Sequence, residues 1–124
     1  YFSYYTSAGQ KWILLDIEKQ SSVCMNCTRK EIRWEEDLNG QPMEAGPIGF
    51  IGYGKNAETV YFQSEFDCWA YEVASKKLVS LSNEMATKEK IELRFDRFNY
   101  DSLWVTLEEG YFIGLRKSNK NEFY

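Results

Sequence analysis

The sequence contains no histidine, and this absence bears on most familiar catalytic sites. Histidine is the commonest general base near neutral pH and the usual partner of a nucleophilic serine or cysteine. Carboxylate catalysis would need two acids that converge in a cleft, and adjacent acids on a strand point to opposite faces. The acidic clusters at residues 35–37 and 108–109 therefore supply no such pair. We expect a chain that is not an enzyme, with no catalytic residue, no metal site and no cofactor.

The sequence also lacks a long apolar run and a cluster of positive charge. No stretch approaches the roughly 18 apolar residues of a transmembrane helix, so we expect no membrane span. The net charge is −4, and the lysines and arginines are scattered. Nucleic-acid binding needs clustered cations and is therefore not expected. An acidic chain suits another protein as its partner, a basic one in particular, while the oligomeric state stays open.

Cysteine is scarce, and the three present leave several pairings open. In an oxidising compartment Cys68 could pair with Cys24 or Cys27, or the latter two could pair with each other. In a reducing compartment all three would be small buried hydrophobes. The spacing of Cys24 and Cys27 is also that of a redox dithiol, but the βαβ alternation of thioredoxin-type sites is missing. Asn26-Cys27-Thr28 matches a glycosylation acceptor of secreted eukaryotic proteins.

The first residues bear on the compartment. Residues 1–8 are uncharged and end in Thr6-Ser7-Ala8, which resembles the small-residue end of a secretory signal. An ordinary first strand fits the same residues. We expect a periplasmic or secreted protein, with the cytoplasm as the alternative.

The sequence is rich in aromatic residues and in turn signals. Aromatic residues make up 17% of the chain and favour strands. Turn signals recur at a spacing of roughly eight to twelve residues, which is typical of a meander, sandwich or barrel. We therefore predict an all-β fold, an antiparallel meander that closes into a small barrel or two-sheet sandwich with at most one short helix. Residues 1–124 form one domain, with 1–10 as an N-terminal arm or first strand and 118–124 as a frayed tail.

The clearest alternation of apolar and polar residues runs from residue 90 to residue 98. Ile91, Leu93 and Phe95 face one way, and the charged residues between them face the other. The alternation predicts two further strands, one over residues 103–107 and a last one marked by Tyr111, Ile113 and Leu115. Other predicted strands cover residues 11–17, 28–38, 48–53, 59–64, 68–73 and 78–81. Residues 20–26 are expected to form a polar loop, and residues 83–88 a helical turn or loop.

Residues 49–56 satisfy the glycine and lysine positions of a phosphate-binding loop. Asn56 stands where the motif needs serine or threonine, so the magnesium ligand is missing. A strand-like segment over residues 59–62 follows, where a phosphate site would need a helix. We interpret these residues as a glycine-kinked strand and turn.

Some aromatic residues fall on strand faces that otherwise look polar, as Trp69 and Trp104 do. Packing under a second layer would explain them, and so would a binding patch, since tryptophan and tyrosine are common at interface hot spots. The residues predicted to bind a partner are Trp69, Tyr71, Trp104, Glu108 and Glu109.

Two segments, Phe66-Asp67-Cys68 and residues 93–97, are loosely similar to small exported bacterial β domains, including lysozyme-inhibitor-like barrels. The similarity covers these two segments and defines no family. We predict a non-enzymatic protein-binding domain, a small exported inhibitor or immunity-type protein that blocks a partner enzyme or toxin. The alternative is a β-barrel carrier that holds a small apolar ligand in its mouth.

Overall fold

A computed structural model describes residues 2–6, 9–35, 47–97 and 104–116 of the chain. Its strands are β1 (Phe2–Thr6), β2 (Lys11–Asp16), β3 (Ser21–Cys24), β4 (Gly49–Tyr53), β5 (Thr59–Gln63), β6 (Cys68–Glu72), β7 (Lys77–Ser80), β8 (Ile91–Arg97) and β9 (Gly110–Arg116). The helical elements are α1 (Met85–Glu89) and two 3₁₀ turns, Lys55–Ala57 and Leu107–Glu109. The mostly β fold with one short α-helix is confirmed within these residues.

The strands form three antiparallel sheets. Their orders are β1-β2-β3, β4-β5-β6-β7 and β8-β9, so each strand pairs with its neighbour in the sequence. Short connections favour this arrangement, because parallel strands need long crossovers. The described strands do not close into a barrel. A two-sheet sandwich and a single domain over residues 1–124 stay predictions, and the tail at 118–124 lies outside the described residues.

One main core contains side chains from the first two sheets. Trp12 and Leu14 are buried on alternate positions of β2, and Val60 and Phe62 are buried on β5. The ring of Phe62 lies 5.9 Å from Trp12 and 5.5 Å from Trp34. Aromatic rings bury large areas and prefer such tilted contacts, so they supply much of the apolar burial that holds the two sheets together.

A smaller core attaches the β8-β9 ribbon to the second sheet. It contains Cys68, Phe95 and Val105. The backbone N–H of Val105 donates to the carbonyl of Tyr53 at 2.7 Å. Gly52 lies in a bulge of β4 with a φ of 145°, and a Cβ there would lie 2.7 Å from Val105. The glycine therefore allows both the bend and the close approach of Val105.

The tight turn over residues 64–67, between β5 and β6, is held by several hydrogen bonds. Ser64 N–H donates to the carbonyl of Asp67 at 2.9 Å, and the Ser64 hydroxyl accepts from the indole of Trp69 at 2.8 Å. The carboxylate of Asp67 is buried and accepts from the hydroxyls of Ser80 and Ser82. A buried carboxylate needs such donors, and these tie β7 and the start of α1 to the turn.

Two predictions for residues 20–38 are wrong. Residues 21–24 form β3, where a loop was expected, because β3 pairs with β2 along its length. The described part of the expected strand at 28–38 is a series of turns with one isolated bridge between Glu35 and Pro47. Both Ile32 and Trp34 are buried there, so their alternation with charged residues reflects burial without strand pairing. Residues 36–38 lie outside the described residues.

The prediction for residues 103–107 is also wrong where the structure describes it. Residues 104–106 have no strand structure, and Leu107–Glu109 is a 3₁₀ turn. The last strand is confirmed as β9. Its register pairs Phe112 with Phe95 and Gly110 with Arg97, which puts Phe112 on the same face of the ribbon as the buried Phe95, although Phe112 itself is 39% exposed. Tyr111 and Ile113 therefore lie on the opposite face.

Gly110 gives a test of this register. A Cβ at Gly110 would overlap the ring of Phe95 and would lie 2.6 Å from the carbonyl oxygen of Asp96. We expect Gly110→Ala to lower the free energy of unfolding by roughly 1–3 kcal/mol, measured by urea denaturation. Gly49→Ala is the matched control, since its Cβ would meet only the flexible end of Gln63, at 3.2 Å. A Gly110→Ala protein as stable as the control would contradict the register.

Candidate partner-binding surface

Two of the predicted binding residues lie in the core. Trp69 is 0% exposed and Tyr71 is 3% exposed. β6 lies between β5 and β7, and its residues 68–71 are buried on both faces. Of the two explanations that the sequence left open for Trp69, packing under a second layer fits its burial, and neither side chain offers surface for direct contact. A partner-binding role for these two residues stays a prediction.

The other three predicted residues lie in the segment that precedes β9 in the sequence. Trp104 is half-buried and has contacts of its own, while Glu108 is exposed in the 3₁₀ turn that leads into the strand. The side chain of Glu109 lies outside the described residues. Trp104 and Glu108 therefore both have exposed surface, and both belong to the segment that leads into β9.

The face of the β8-β9 ribbon that carries Tyr111 and Ile113 was not identified from the sequence. The register pairs Tyr111 with Asp96 and Ile113 with Arg94, so these four side chains share a face with Glu92; we call it the ribbon face. Tyr111 is 40% exposed and Ile113 is 44% exposed. The run of apolar residues in β9 was a usable signal, but both alternate sets of its positions contain apolar residues, so the sequence did not show which set is exposed.

Arg94 is the only base among the described side chains of the ribbon face, and its guanidinium binds backbone carbonyls. It donates to Leu93 at 2.8 Å, to Glu65 at 3.0 Å and to Ser64 at 3.3 Å. Burial lowers the pKa of Arg94, yet a guanidinium stays charged at neutral pH. The guanidinium therefore holds the ribbon against the turn at residues 64–67, and its positive charge remains and is attracted to Glu92.

Carboxylates flank the apolar side chains of the ribbon face. Asp96 accepts a hydrogen bond from the Tyr111 hydroxyl at 3.2 Å. This bond and the nearby negative charge raise the pKa of Tyr111, so the phenol stays neutral. Glu92 lies at the other end of β8, and Glu108 lies just before β9. The face combines two exposed apolar side chains with an acidic border.

The cysteine pairing is now assigned. Cys24 and Cys27 form a disulfide, and Cys68 is a buried free cysteine. Burial raises the pKa of Cys68 to about 12, with a further contribution from the neighbouring Asp67. A thiol in that state is protonated at neutral pH and is a poor nucleophile. The disulfide is compatible with an oxidising compartment.

Asn26, inside the disulfide loop, serves as a structural clamp. Its side-chain oxygen accepts from the N–H of Trp12 at 2.9 Å, and its side-chain nitrogen donates to the carbonyl of Gln10 at 2.9 Å. The residue is 2% exposed. The glycosylation acceptor that begins at Asn26 is therefore not presented by the folded chain.

Other candidate sites can be placed as well. Lys55–Ala57, in the segment that resembles a phosphate-binding loop, forms a 3₁₀ turn, and β5 follows where a phosphate site needs a helix. Among the described side chains, no three histidine, cysteine or acidic residues are grouped to hold a metal ion. Within the described ranges, no helix has the length and apolar character needed to cross a membrane.

The chain was compared with known proteins, and no family model, no curated protein and no solved structure matches it.

The cysteine assignment predicts the thiol count. A thiol reagent should find no reactive thiol in the native protein near pH 8, because Cys68 is buried and protonated. In denaturant without reductant it should find one thiol per chain, and after reduction it should find all three. Three thiols without reductant would contradict the Cys24–Cys27 bridge.

The raised pKa of Cys68 also predicts a pH effect on stability. Folding favours the neutral thiol, so its contribution is complete below the ordinary value of 9.0 and is lost as the pH rises toward 12. Ionisation of buried tyrosines also lowers the free energy of unfolding in this pH range. The parent is therefore compared with Cys68→Ala, in which the tyrosines are the same and the thiol is absent. We expect the free energy of unfolding to fall more steeply above pH 9 in the parent than in Cys68→Ala. Equal slopes would contradict the assignment.

Proposed function

We propose that this chain is a non-enzymatic protein-binding domain that docks a basic partner on the ribbon face. The observation that carries the proposal is the pair of exposed side chains, Tyr111 and Ile113, with carboxylates on either side. The one described base of the face, Arg94, is engaged by backbone carbonyls.

The chemistry of the ribbon face supports a basic partner in two ways. Tyr111 and Ile113 can be desolvated at the centre of an interface, where a few apolar and aromatic side chains supply most of the binding energy. Glu92 and Asp96 favour approach of a positively charged surface and disfavour an acidic one. The net charge of −4 acts in the same direction over longer distances.

The kind of partner follows from the exported character that we propose. The disulfide is compatible with a periplasmic or secreted protein. The loose similarity of two segments to exported inhibitor-like domains points the same way. Those two segments meet in the structure, where Leu93 N–H donates to the carbonyl of Phe66 at 2.7 Å. We infer an inhibitor or immunity-type role in which the ribbon face covers a functional region of a basic enzyme or toxin.

The carrier alternative has less support in its barrel form. The described strands form three sheets and no closed barrel, so a barrel mouth to hold an apolar ligand is not formed by them.

The test uses a matched pair of exposed aliphatic residues. Ile113 on β9 is 44% exposed and Val79 on β7 is 43% exposed. A basic partner is first captured from extracts of the source organism and purified. We expect Ile113→Ser to weaken its binding roughly tenfold or more in calorimetry, because a desolvated apolar anchor is lost. Val79→Ser should bind as the parent does.

The salt dependence of binding and the activity of the partner are two further measurements on the same complex. Binding should weaken as salt is added, since the acidic border is screened. The partner's own activity should fall on complex formation. A captured protein that binds Ile113→Ser and the parent equally well, or that is acidic with salt-independent affinity, would contradict the proposal.

A further inference from the structure

Strand β1 lies at the outer edge of the first sheet. Within the described ranges it pairs with β2 alone, so the backbone N–H and C=O groups on its other side have no strand partner there. Such an edge is a template for another strand, and proteins usually protect it with charge, a bulge or a short length. β1 has five residues, none of them charged, and its pairing with β2 runs without a bulge.

The other sheet edges in the described part of the chain carry such protection. β3 and β7 have four residues each, and β7 begins with Lys77. β4 contains the bulge at Gly52, and its Tyr53 carbonyl already accepts from Val105. The β8-β9 ribbon carries charged residues, with an arginine at the end of each strand. Among the described edges, β1 is therefore the least protected against pairing with another strand.

The face of β1 that points away from the main core is apolar and partly exposed. The register pairs Tyr4 with Ile13 and Phe2 with Leu15, so these side chains share the face opposite the buried Trp12. Phe2 is 54% exposed and Tyr4 is 43% exposed, and their rings lie 6.2 Å apart. Aromatic side chains that lie across from one another stabilise the pairing of two strands, so this face favours a further strand beside β1.

A second copy of the chain fits this edge by symmetry and by charge. Antiparallel pairing of two β1 strands about Tyr4 places Tyr4 across from its equivalent and Phe2 across from Thr6 of the other copy. Each group then meets its own equivalent, as a two-fold interface requires. The net charge of −4 makes two copies repel each other. Of the strand positions on this outer face only Lys11 is charged, so the strands that meet here add no repulsion between acids.

We propose that two copies of this chain form a weak symmetric dimer by antiparallel pairing of their β1 edges, which joins the two first sheets into one sheet of six strands. The aromatic surface involved is small, because four partly exposed side chains of roughly 100 Å² each fall well below the area of a stable interface. The dimer therefore forms only at high protein concentration. This interface is separate from the ribbon face and requires neither the partner nor the inhibitor role proposed above.

Sedimentation equilibrium of the purified chain between about 10 µM and about 1 mM tests the dimer. We expect the average mass to rise from that of one chain toward that of two. Tyr4→Lys should stay monomeric, because it places two like charges across from each other at the centre of the pairing. Val79→Lys is the matched control and should associate as the parent does, since Val79 is equally exposed, at 43%, on the edge strand β7 and the charge change is the same.

A pair of opposite charges separates strand pairing from a folding defect. Tyr4→Glu alone should also stay monomeric, but an equimolar mixture of Tyr4→Lys and Tyr4→Glu should form a heterodimer, because opposite charges then face each other. Added salt should strengthen the parent dimer by screening the repulsion between acidic chains, whereas it should weaken binding of a basic partner to the ribbon face.

The proposal is overturned by a parent chain that stays monomeric up to about 1 mM. It is also overturned if Tyr4→Lys associates as the parent does, or if Val79→Lys loses association as well. A mixture of Tyr4→Lys and Tyr4→Glu that does not associate, or a parent dimer that salt weakens, would each contradict pairing at this edge.

Discussion

The hydrogen-bonded turn at residues 64–67 is the point on which the arrangement of the described strands depends. Through the backbone of Phe66 and the carbonyls of Ser64 and Glu65 it holds β8, by way of Leu93 and Arg94. Its buried carboxylate holds β7 and the start of α1. A turn held by this many hydrogen bonds tolerates little displacement, because breaking the bonds of its buried residues leaves buried polar groups without a partner. The position of the β8-β9 ribbon follows from that constraint.

The same constraint fixes the position of the one described base of the proposed binding surface. Arg94 is aligned by sequence with the acids of β8, and its guanidinium donates to three carbonyls, two of them in the turn at residues 64–67. Hydrogen bonds to neutral carbonyls leave its charge in place, so it still attracts the carboxylate of Glu92 on the same face. The two carboxylates of β8 on this face, Glu92 and Asp96, outnumber that one base beside Tyr111 and Ile113. Because Arg94 also holds the ribbon against the turn, its removal would change both the stability and the surface charge.

A strand or a buried face could be predicted from the sequence where a local pattern decides it. It could not be predicted where a contact with a distant part of the chain decides it. The strand over residues 91–97 was predictable, because its alternation is local and one face is buried. The face of β9 was not, since both alternate sets contain apolar residues and only the pairing of Phe112 with Phe95 decides between them. The ribbon face was missed for that reason. For Trp69 the sequence left packing and a binding patch open, because a strand covered on both sides has no polar face to show which of its residues are buried.

The disulfide loop shows why scarce residues were hard to interpret without structure. Spacing allowed a bridge, a redox pair or three free thiols, and only the surroundings distinguish these cases. Met25 is buried, and Asn26 binds the backbone on either side of Lys11, so the loop continues the pairing of the first sheet past the end of β3. A bridge between Cys24 and Cys27 closes too short a loop to restrict the unfolded chain greatly. Its stabilising effect is therefore local: it keeps Asn26 in position to hold the backbone beside Trp12, where the main aromatic core begins.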